Sequence, residues 1–320
     1  MTLAPEALPG IRVIDTKMGG REGLTSAYLV SAAQPALVET GPTTSLEPVA
    51  AALEALGVGR HELAHVLLTH VHLDHAGGVG GYARRFPRAT VWVHERGAAH
   101  VVDPTKLVAS ATRVFGQDHM DRVFGPMDPV SADRVHGVPD GQVIDLGDRW
   151  LEVVHAPGHA KHHMFVVDGQ TGALWSGDGL GLYLPDVGVL RPGTPPPDFD
   201  LDQAVASVRA VARRSPPAIL FSHFGPVRDV EQICDLAIER MQAWASIVRE
   251  AMRETEDIRE VARRLRERTL SELDAADNRE SAEERYEALT THEVNAAGLL
   301  RYFQKVEEGA DGRARGPDRG

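Results

Sequence analysis

Strands and helices interleave over roughly the first two thirds of this chain, and only helices follow. The class is therefore α/β or α+β with layered sheets. Two observations predict it. Between Ile11 and about Phe224, short apolar runs recur between turn signals such as Gly41-Pro42, Pro157-Gly158, Asp168-Gly169 and Gly177. From Val227 onward no convincing strand pattern remains, and apolar residues recur at helical spacing instead.

The runs that read as strands are Ile11–Ile14, Ala27–Val30, Ala36–Val38, Val66–Leu68, Thr90–Val93, Trp150–His155, Met164–Val167, Ala173–Trp175 and Ile219–Phe221. Ser45 to Leu56 reads as a helix, because Leu46, Val49, Ala50, Leu53 and Leu56 share one face. Leu201 to Arg213 repeats the pattern with Leu201, Val205, Val208 and Val211. Asp186 to Asp200 carries Pro192, Pro195, Pro196 and Pro197 and reads as a stiff irregular loop. Val230, Ile233, Cys234, Ala237, Met241, Trp244 and Val248 then mark a long amphipathic helix. Glu256–Leu270, Ser281–Leu289 and Thr291–Lys305 are expected to be helical too. Glu307 to Gly320, rich in Gly, Arg and Asp, is expected to be disordered. The division that follows is a catalytic domain over 1–226, a helical extension over 227–306 and a tail over 307–320.

Composition narrows the function classes. The chain has 320 residues, 42% hydrophobic and 25% charged, as in ordinary soluble globular proteins. Its net charge of -12 argues against nucleic acid as a partner, since polyanion binding leans on Lys and Arg. Cys234 is the only cysteine, so intrachain disulfides and sites built from several thiolates are excluded. It lies in an apolar helical pattern and reads as core rather than nucleophile. No stretch approaches the ~20 apolar residues of a membrane span. Met1 to Gly10 lacks the basic and apolar segments of a signal peptide. The expectation is a cytoplasmic protein without a membrane partner.

The chemistry concentrates in His70-Val71-His72-Leu73-Asp74-His75. This dense cluster of imidazoles and a carboxylate follows the buried run Val66–Leu68 and precedes Ala76-Gly77-Gly78. Such side chains hold zinc or iron where a site stays open to water. On extended backbone His70, His72 and Asp74 project to one side, leaving His75 to point elsewhere as the chain turns. Two imidazoles two residues apart suit one ion, and an adjacent carboxylate and imidazole suit another, so two neighbouring metals are expected. Further ligand types follow other apolar runs: His155-Ala156-Pro157-Gly158-His159, Ser176-Gly177-Asp178 and Ser222-His223. Strand ends along one sheet edge bring such distant residues together.

These motifs, in this order over about residues 11 to 225, resemble those of the metallo-β-lactamase-fold hydrolase superfamily. The resemblance implies an α+β, four-layer αββα sandwich of two mainly antiparallel sheets, with metals at one edge and here a helical C-terminal extension. It implies that His70, His72 and His159 bind a first divalent ion, and that Asp74, His75 and His223 bind a second. Asp178 would bridge them opposite a bridging hydroxide that attacks a carbonyl carbon, and Asp74 would also orient that nucleophile. Zinc is the expected ion, with iron or manganese as alternatives. His163 is expected to support the ligands, and His155 to sit at a strand end rather than on a metal. His61, His65, His94, His100, His119, His136 and His162 read as surface or loop histidines. His292 is an alternative substrate contact near the last helix. Relatives often carry Asp-Thr-Gly where this chain has Glu39-Thr40-Gly41. Glu39 would then accept hydrogen bonds from the ligand loops over a longer reach.

His72 favours hydrolysis, since di-iron redox relatives tend to carry Glu there. Asp74 separates the chain from class B β-lactamases. The stretches Val38–Pro42 and His75–Gly78 resemble the glyoxalase II-like and lactonase-like branches. A small apolar ester, lactone or thioester is thus the expected substrate. A phosphodiesterase, a single-iron persulfide dioxygenase and a binding protein with a degenerate site are the alternatives. The insertion Asp103–Arg134 carries Leu107, Val108, Val114, Phe115, Met120, Val123, Phe124 and Met127, and serves either as an apolar lid or as an interface. The insertion and the C-terminal helices are compatible with a homodimer. Tyr183 is the candidate to hydrogen-bond the substrate carbonyl, ahead of Tyr28 and Tyr82.

Overall fold

The structure, a computed structural model, describes residues 4–314. Seven strands form the first sheet in chain order. They are β1 (Glu6–Leu8), β2 (Ile11–Asp15), β3 (Ser26–Val30), β4 (Ala36–Val38), β5 (His65–Leu68), β6 (Thr90–His94) and β7 (Val135–Val138). The second sheet begins with β8 (Val143–Asp145), β9 (Trp150–His155), β10 (Met164–Asp168) and β11 (Leu174–Gly177). A separate ribbon of β12 (Leu182–Leu184) and β13 (Val189–Arg191) intervenes, and β14 (Ile219–Phe221) and β15 (Gly225–Val227) complete the sheet. Its order is β15-β14-β11-β10-β9-β8, with β11 and β14 parallel and the other pairs antiparallel.

Eleven α-helical segments connect and cover these strands. They are α1 (Leu46–Ala55), α2 (Leu73–Ala76), α3 (Val79–Arg85), α4 (Ala98–Val102), α5 (Thr105–Phe115), α6 (Gln117–His119), α7 (Leu201–Arg214), α8 (Val230–Ala251), α9 (Ile258–Thr269), α10 (Arg279–Leu289) and α11 (His292–Ala314).

Strand alternation sorts the apolar side chains into layers. In β3, Tyr28 and Val30 join Val153, Met164, Val166, Trp175 and Leu220 in the core between the sheets. Their neighbours Ala27 and Leu29 face the other way, onto Val49, Ala50 and Leu53 of α1 and Val79, Tyr82 and Ala83 of α3. In β10, Phe165 and Val167 face outward onto Val205, Val208 and Val211 of α7 and onto α8, α9 and α11. The result is the αββα sandwich, and the C-terminal helices form part of its outer layer.

Every strand expected from the sequence forms, and six more appear: β1, β7, β8, β12, β13 and β15. The first sheet departs from the mainly antiparallel expectation. Its β1–β4 pairs are antiparallel and its β4–β7 pairs are parallel. Helices bridge β4 to β5, β5 to β6 and β6 to β7, and such crossovers return the chain in the same direction. The last helix runs to Ala314, past the Glu307 at which the tail was expected to begin. Residues 315–320 of that tail lie outside the described residues. No described helix is long and apolar enough to cross a membrane.

One buried ion pair pins the second sheet. Arg149 donates through Nε and Nη2 to the two carboxylate oxygens of Asp168, at 2.5 and 2.7 Å, and through Nη1 to the Pro9 carbonyl at 3.2 Å. Burial disfavours the Asp168 charge, but bonds from Arg149 and Thr171 hold its carboxyl below the usual range. A group lowered in this way contributes stability above the ordinary carboxylate pKa, and that contribution is lost as pH falls through the folded value. Arg149→Met should leave a buried carboxylate unpaired and cost about 3–5 kcal/mol. Urea unfolding of both proteins at pH 7 measures the difference, which should shrink on acidification below pH ~4 as Asp168 protonates.

Candidate metal centre

Four chain segments converge at one edge of the sandwich. Thr69 and His70 follow β5, and His72, itself extended (φ −62°, ψ 151°), precedes α2. The chain becomes helical at Leu73, earlier than the Gly77-Gly78 turn expected from sequence. Asp74 and His75 therefore sit on a helical turn and leave the side shared by His70 and His72. His159 follows the turn after β9, Asp178 follows β11, and His223 follows β14.

All seven expected ligands come together, in two groups. His70, His72 and His159 form one, and Asp74, His75, Asp178 and His223 form the other. Within the first, His159 Nε2 lies 3.0 Å from His72 Nδ1. Within the second, His75 Nε2 and His223 Nε2 are 3.3 Å apart, and each lies 3.3 Å from Asp178 Oδ1. Asp74 Oδ2 lies 3.4 Å from His75 Nε2 and 3.5 Å from His223 Nε2. The second Asp178 oxygen, Oδ2, faces His159 Nε2 at 3.6 Å, so this carboxylate spans both groups.

The donor set fits divalent metal ions. Zinc–ligand bonds of ~2.0–2.1 Å in a tetrahedron place donor atoms about 3.3 Å apart, close to the spacings above. His70 Nε2 and Asp178 Oδ1 are buried without a hydrogen-bond partner, an expensive arrangement unless a cation meets them. The rings are also oriented from behind. His159 Nδ1 donates to the Gly193 carbonyl at 2.9 Å and His223 Nδ1 to the Leu24 carbonyl at 3.0 Å. His70 Nδ1 lies 3.0 Å from Thr69 Oγ1, which itself donates to Glu39. Each contact fixes the tautomer that turns Nε2 and its lone pair toward the site.

Glu39 has the supporting role expected of it, in unusual backbone. It is buried at φ 69°, a left-handed conformation uncommon outside glycine. Its Oε1 accepts from Thr69 Oγ1 and from Ser222 Oγ at 3.3 Å, and lies 3.6 Å from His75 Nδ1. His163 supports Asp178 by accepting its backbone N–H at 3.2 Å. Gly177 makes that approach possible: at φ 47°, a Cβ there would lie 2.5 Å from Thr69 Oγ1 and 2.6 Å from His163 Nε2.

The two groups differ in charge. Burial, with neighbouring imidazoles, holds His70 and His72 well below the usual histidine range, and burial lowers His159 too. Burial also disfavours charge on His75 and His223, but Asp74 and Asp178 outweigh it. His75 is raised well above its ordinary value, and His223 is pushed up to about 9. In turn His75 and His223 hold both carboxyls below the usual range against the effect of burial. Without an ion, imidazolium protons balance the carboxylates of the second group.

The site opens into a cavity of about 370 Å³. His72, Asp74, His159 and Asp178 contribute to its lining, as do Leu73, Leu107, Val114, Phe115, Phe124, Leu182, Leu289 and Val294. Leu107, Val114, Phe115 and Phe124 of segment 103–134 thus stand beside the ligand groups. Tyr183 is a correction: it does not line the cavity, and its ring packs on Phe221 with centroids 5.7 Å apart. In β12 its neighbour Leu182 takes the cavity-facing position. Tyr28 and Tyr82 are fully buried in the cores. His292 is also buried, stacked on Trp244 away from the cavity lining.

His100 and His162 line the cavity, contrary to the surface reading. His162 is buried, its ring centroid is 5.6 Å from that of His72, and its Nδ1 accepts the Val71 N–H at 3.4 Å. The signal available was its place in the run His159-Ala160-Lys161-His162-His163. His65 and His94 are buried as well; Trp92 Nε1 donates to His65, and His94 stacks on His155.

The fold and the paired ligand groups define a class of two-sheet metalloprotein. A family model described as "Metallo-beta-lactamase superfamily" matches residues 20–223, and the chain belongs to this superfamily. Metallo-beta-lactamase fold-containing protein ST1585 of Sulfurisphaera tokodaii is 30% identical over 170 residues, 52% of this chain and 62% of that protein. A hydroxyacylglutathione hydrolase of Xanthomonas axonopodis pv. citri is 31% identical over 51% of this chain and 48% of its own. An atrochrysone carboxyl ACP thioesterase of a Cryptosporiopsis species is 26% identical over 38% of this chain and 28% of its own. The chain thus spans less than two thirds of the length of each of these relatives. The crystal structure of ST1585 from Sulfolobus tokodaii shares the fold, with TM-score 0.65 at 23% identity over 91% of this chain and 98% of that one.

Ion binding by the second group should release protons, because His75 and His223 must give theirs up to ligate. Apparent affinity there should rise as pH climbs through about 9, the value for His223. Calorimetric zinc titrations at pH 7 in buffers of different ionisation enthalpy count the protons. Zinc binding with no proton release would contradict this charge state.

Proposed function

We propose that this protein is a two-metal hydrolase that opens a carboxylic ester, lactone or thioester in a small substrate with an apolar chain. The observation that carries this reading is the junction of ligand groups and apolar cavity. Asp74, Asp178, His72 and His159 line the same space as Leu107, Val114, Phe115, Phe124 and Val294. The thioesterase and the hydroxyacylglutathione hydrolase among the relatives support hydrolysis at a carbonyl.

Two divalent ions, zinc by preference for this His and Asp set, supply a nucleophilic water near neutral pH and Lewis-acid polarisation of the carbonyl. His70, His72 and His159 would hold one ion, Asp74, His75 and His223 the other, and Asp178 stands between the two groups to serve both. The protein's own groups do the rest. Asp74, 18% exposed and on the cavity surface, accepts a hydrogen bond from the attacking water and aims it. His162 accepts at Nδ1, so in its neutral form the proton sits on Nε2, available to the substrate carbonyl oxygen. Burial keeps this ring neutral by lowering its pKa to about 4. It takes the part first expected of Tyr183. The α5 face and Phe124 hold the apolar chain and exclude water from it.

Hydrolysis of p-nitrophenyl esters, thioesters and lactones should rise with acyl length and vanish on chelation and in Asp178→Ala. Faster turnover of bis(p-nitrophenyl) phosphate would favour a phosphodiesterase, and oxygen uptake on a persulfide with one bound iron would favour a dioxygenase. His162→Phe should lower kcat by about 100-fold, the scale for losing one oxyanion donor, while metal content holds. An unchanged kcat would remove His162 from the reaction.

A further inference from the structure

One loop joins α11 to the first ligand group. His159 is oriented by the Gly193 carbonyl, and Thr194, the next residue, is fully buried and held by α11. The Thr194 N–H donates to Asn295 Oδ1 at 2.7 Å, and its hydroxyl lies 3.0 Å from both the Asn295 carbonyl and Oδ1. Asn295 is 1% exposed. Its Nδ2 donates to Thr290 Oγ1 at 3.2 Å and to the Thr291 carbonyl at 3.1 Å. Both ends of the amide are used, which fixes its orientation. The packing leaves no slack: a Cβ on Gly298 would lie 1.8 Å from the Thr194 carbonyl oxygen.

We propose that Asn295 is a positioning residue which, through Thr194 and Gly193, sets the His159 ring and so the ion affinity of the His70–His72–His159 group. The proposal rests on reading that group as a metal site. A carbonyl can fix a histidine only if the carbonyl itself is fixed. Gly193 has no side chain to anchor it and lies beside the prolines of the cavity wall. Remove Asn295, and the buried Thr194 N–H and hydroxyl lose their acceptors, so the loop must move to find others. The other group does not depend on this path. His75 and His223 are backed by Glu39 and Leu24, and both of those contacts lie within the first 226 residues. Asn295 thus acts on one ion position and spares the other; the extension meets the His223 side elsewhere, where Arg285 of α10 donates to the Gly23 carbonyl at 2.8 Å.

Zinc titrations of the full chain against a chromophoric chelator test this in two backgrounds. His75→Ala with His223→Ala leaves only the first group, and His159→Ala preserves the second. Asn295→Ala should weaken zinc binding about 10-fold in the first background, the lower end for outer partners of a ligand, and leave it unchanged in the second. Gly298→Ala, which keeps the amide but forces α11 off the loop, should repeat the result, and it carries the test if Asn295→Ala does not fold. Val261→Ala, buried in α9 away from the loop, should lower Tm and move neither affinity. Unchanged zinc affinity in a folded Asn295→Ala protein, or equal losses in both backgrounds, overturns the proposal. Failure of the wild-type chain to bind zinc overturns the metal reading beneath it.

Discussion

One buried carboxylate ties the edge of the sandwich together. Glu39 leaves β4 of the first sheet and meets Thr69 after β5, His75 on α2 and Ser222 after β14 of the second sheet. Its acceptor oxygen orders His70 through Thr69 and faces His75 directly, so each ligand group has a member referred to the same atom. A longer side chain than aspartate reaches this point from left-handed backbone. Strain of this kind persists where the surroundings over-determine it, and here three strand ends do so.

Around that anchor the site divides its polar and apolar work. Without an ion, neutral imidazoles gather on one side, and carboxylates with protonated imidazoles on the other. The apolar residues stand beside this floor rather than within it, and nearly all belong to segments outside the metal motifs. The ligand groups and the apolar wall therefore come from different stretches of chain. Asp178 links the two ligand groups, and α11 links the cavity wall to His159.

Much of the site was legible because its signals are local. His70–His75 packs several ligands into one turn of chain, and each later ligand follows a buried apolar run ending in a Gly or Ser turn. Strands β3, β5, β9 and β10 are strongly apolar and were read closely to their ends. Strands β8, β12 and β13 are three-residue pairs whose partners set them, and β7 contains His136 and Gly137, so their own sequences carry little signal. Tyr183 was misjudged because nearness to Asp178 in sequence says nothing about which face of β12 it occupies. The burial of His162 beside the ligand groups depends on a contact with Val71, far away in the chain. The hold of Asn295 on Thr194 likewise joins residues that no local pattern connects.

The α5 helix has no fully buried residue, although it walls the cavity. Of the seven expected ligands beneath it, by contrast, five are buried in the sandwich edge. Substitutions on α5 can therefore accumulate at little cost to folding, while those on the ligand floor cannot. A lineage with this architecture is free to reshape the cavity wall while the residues of the two ligand groups stay fixed. On the hydrolase proposed above, α5 is where new specificities would arise first.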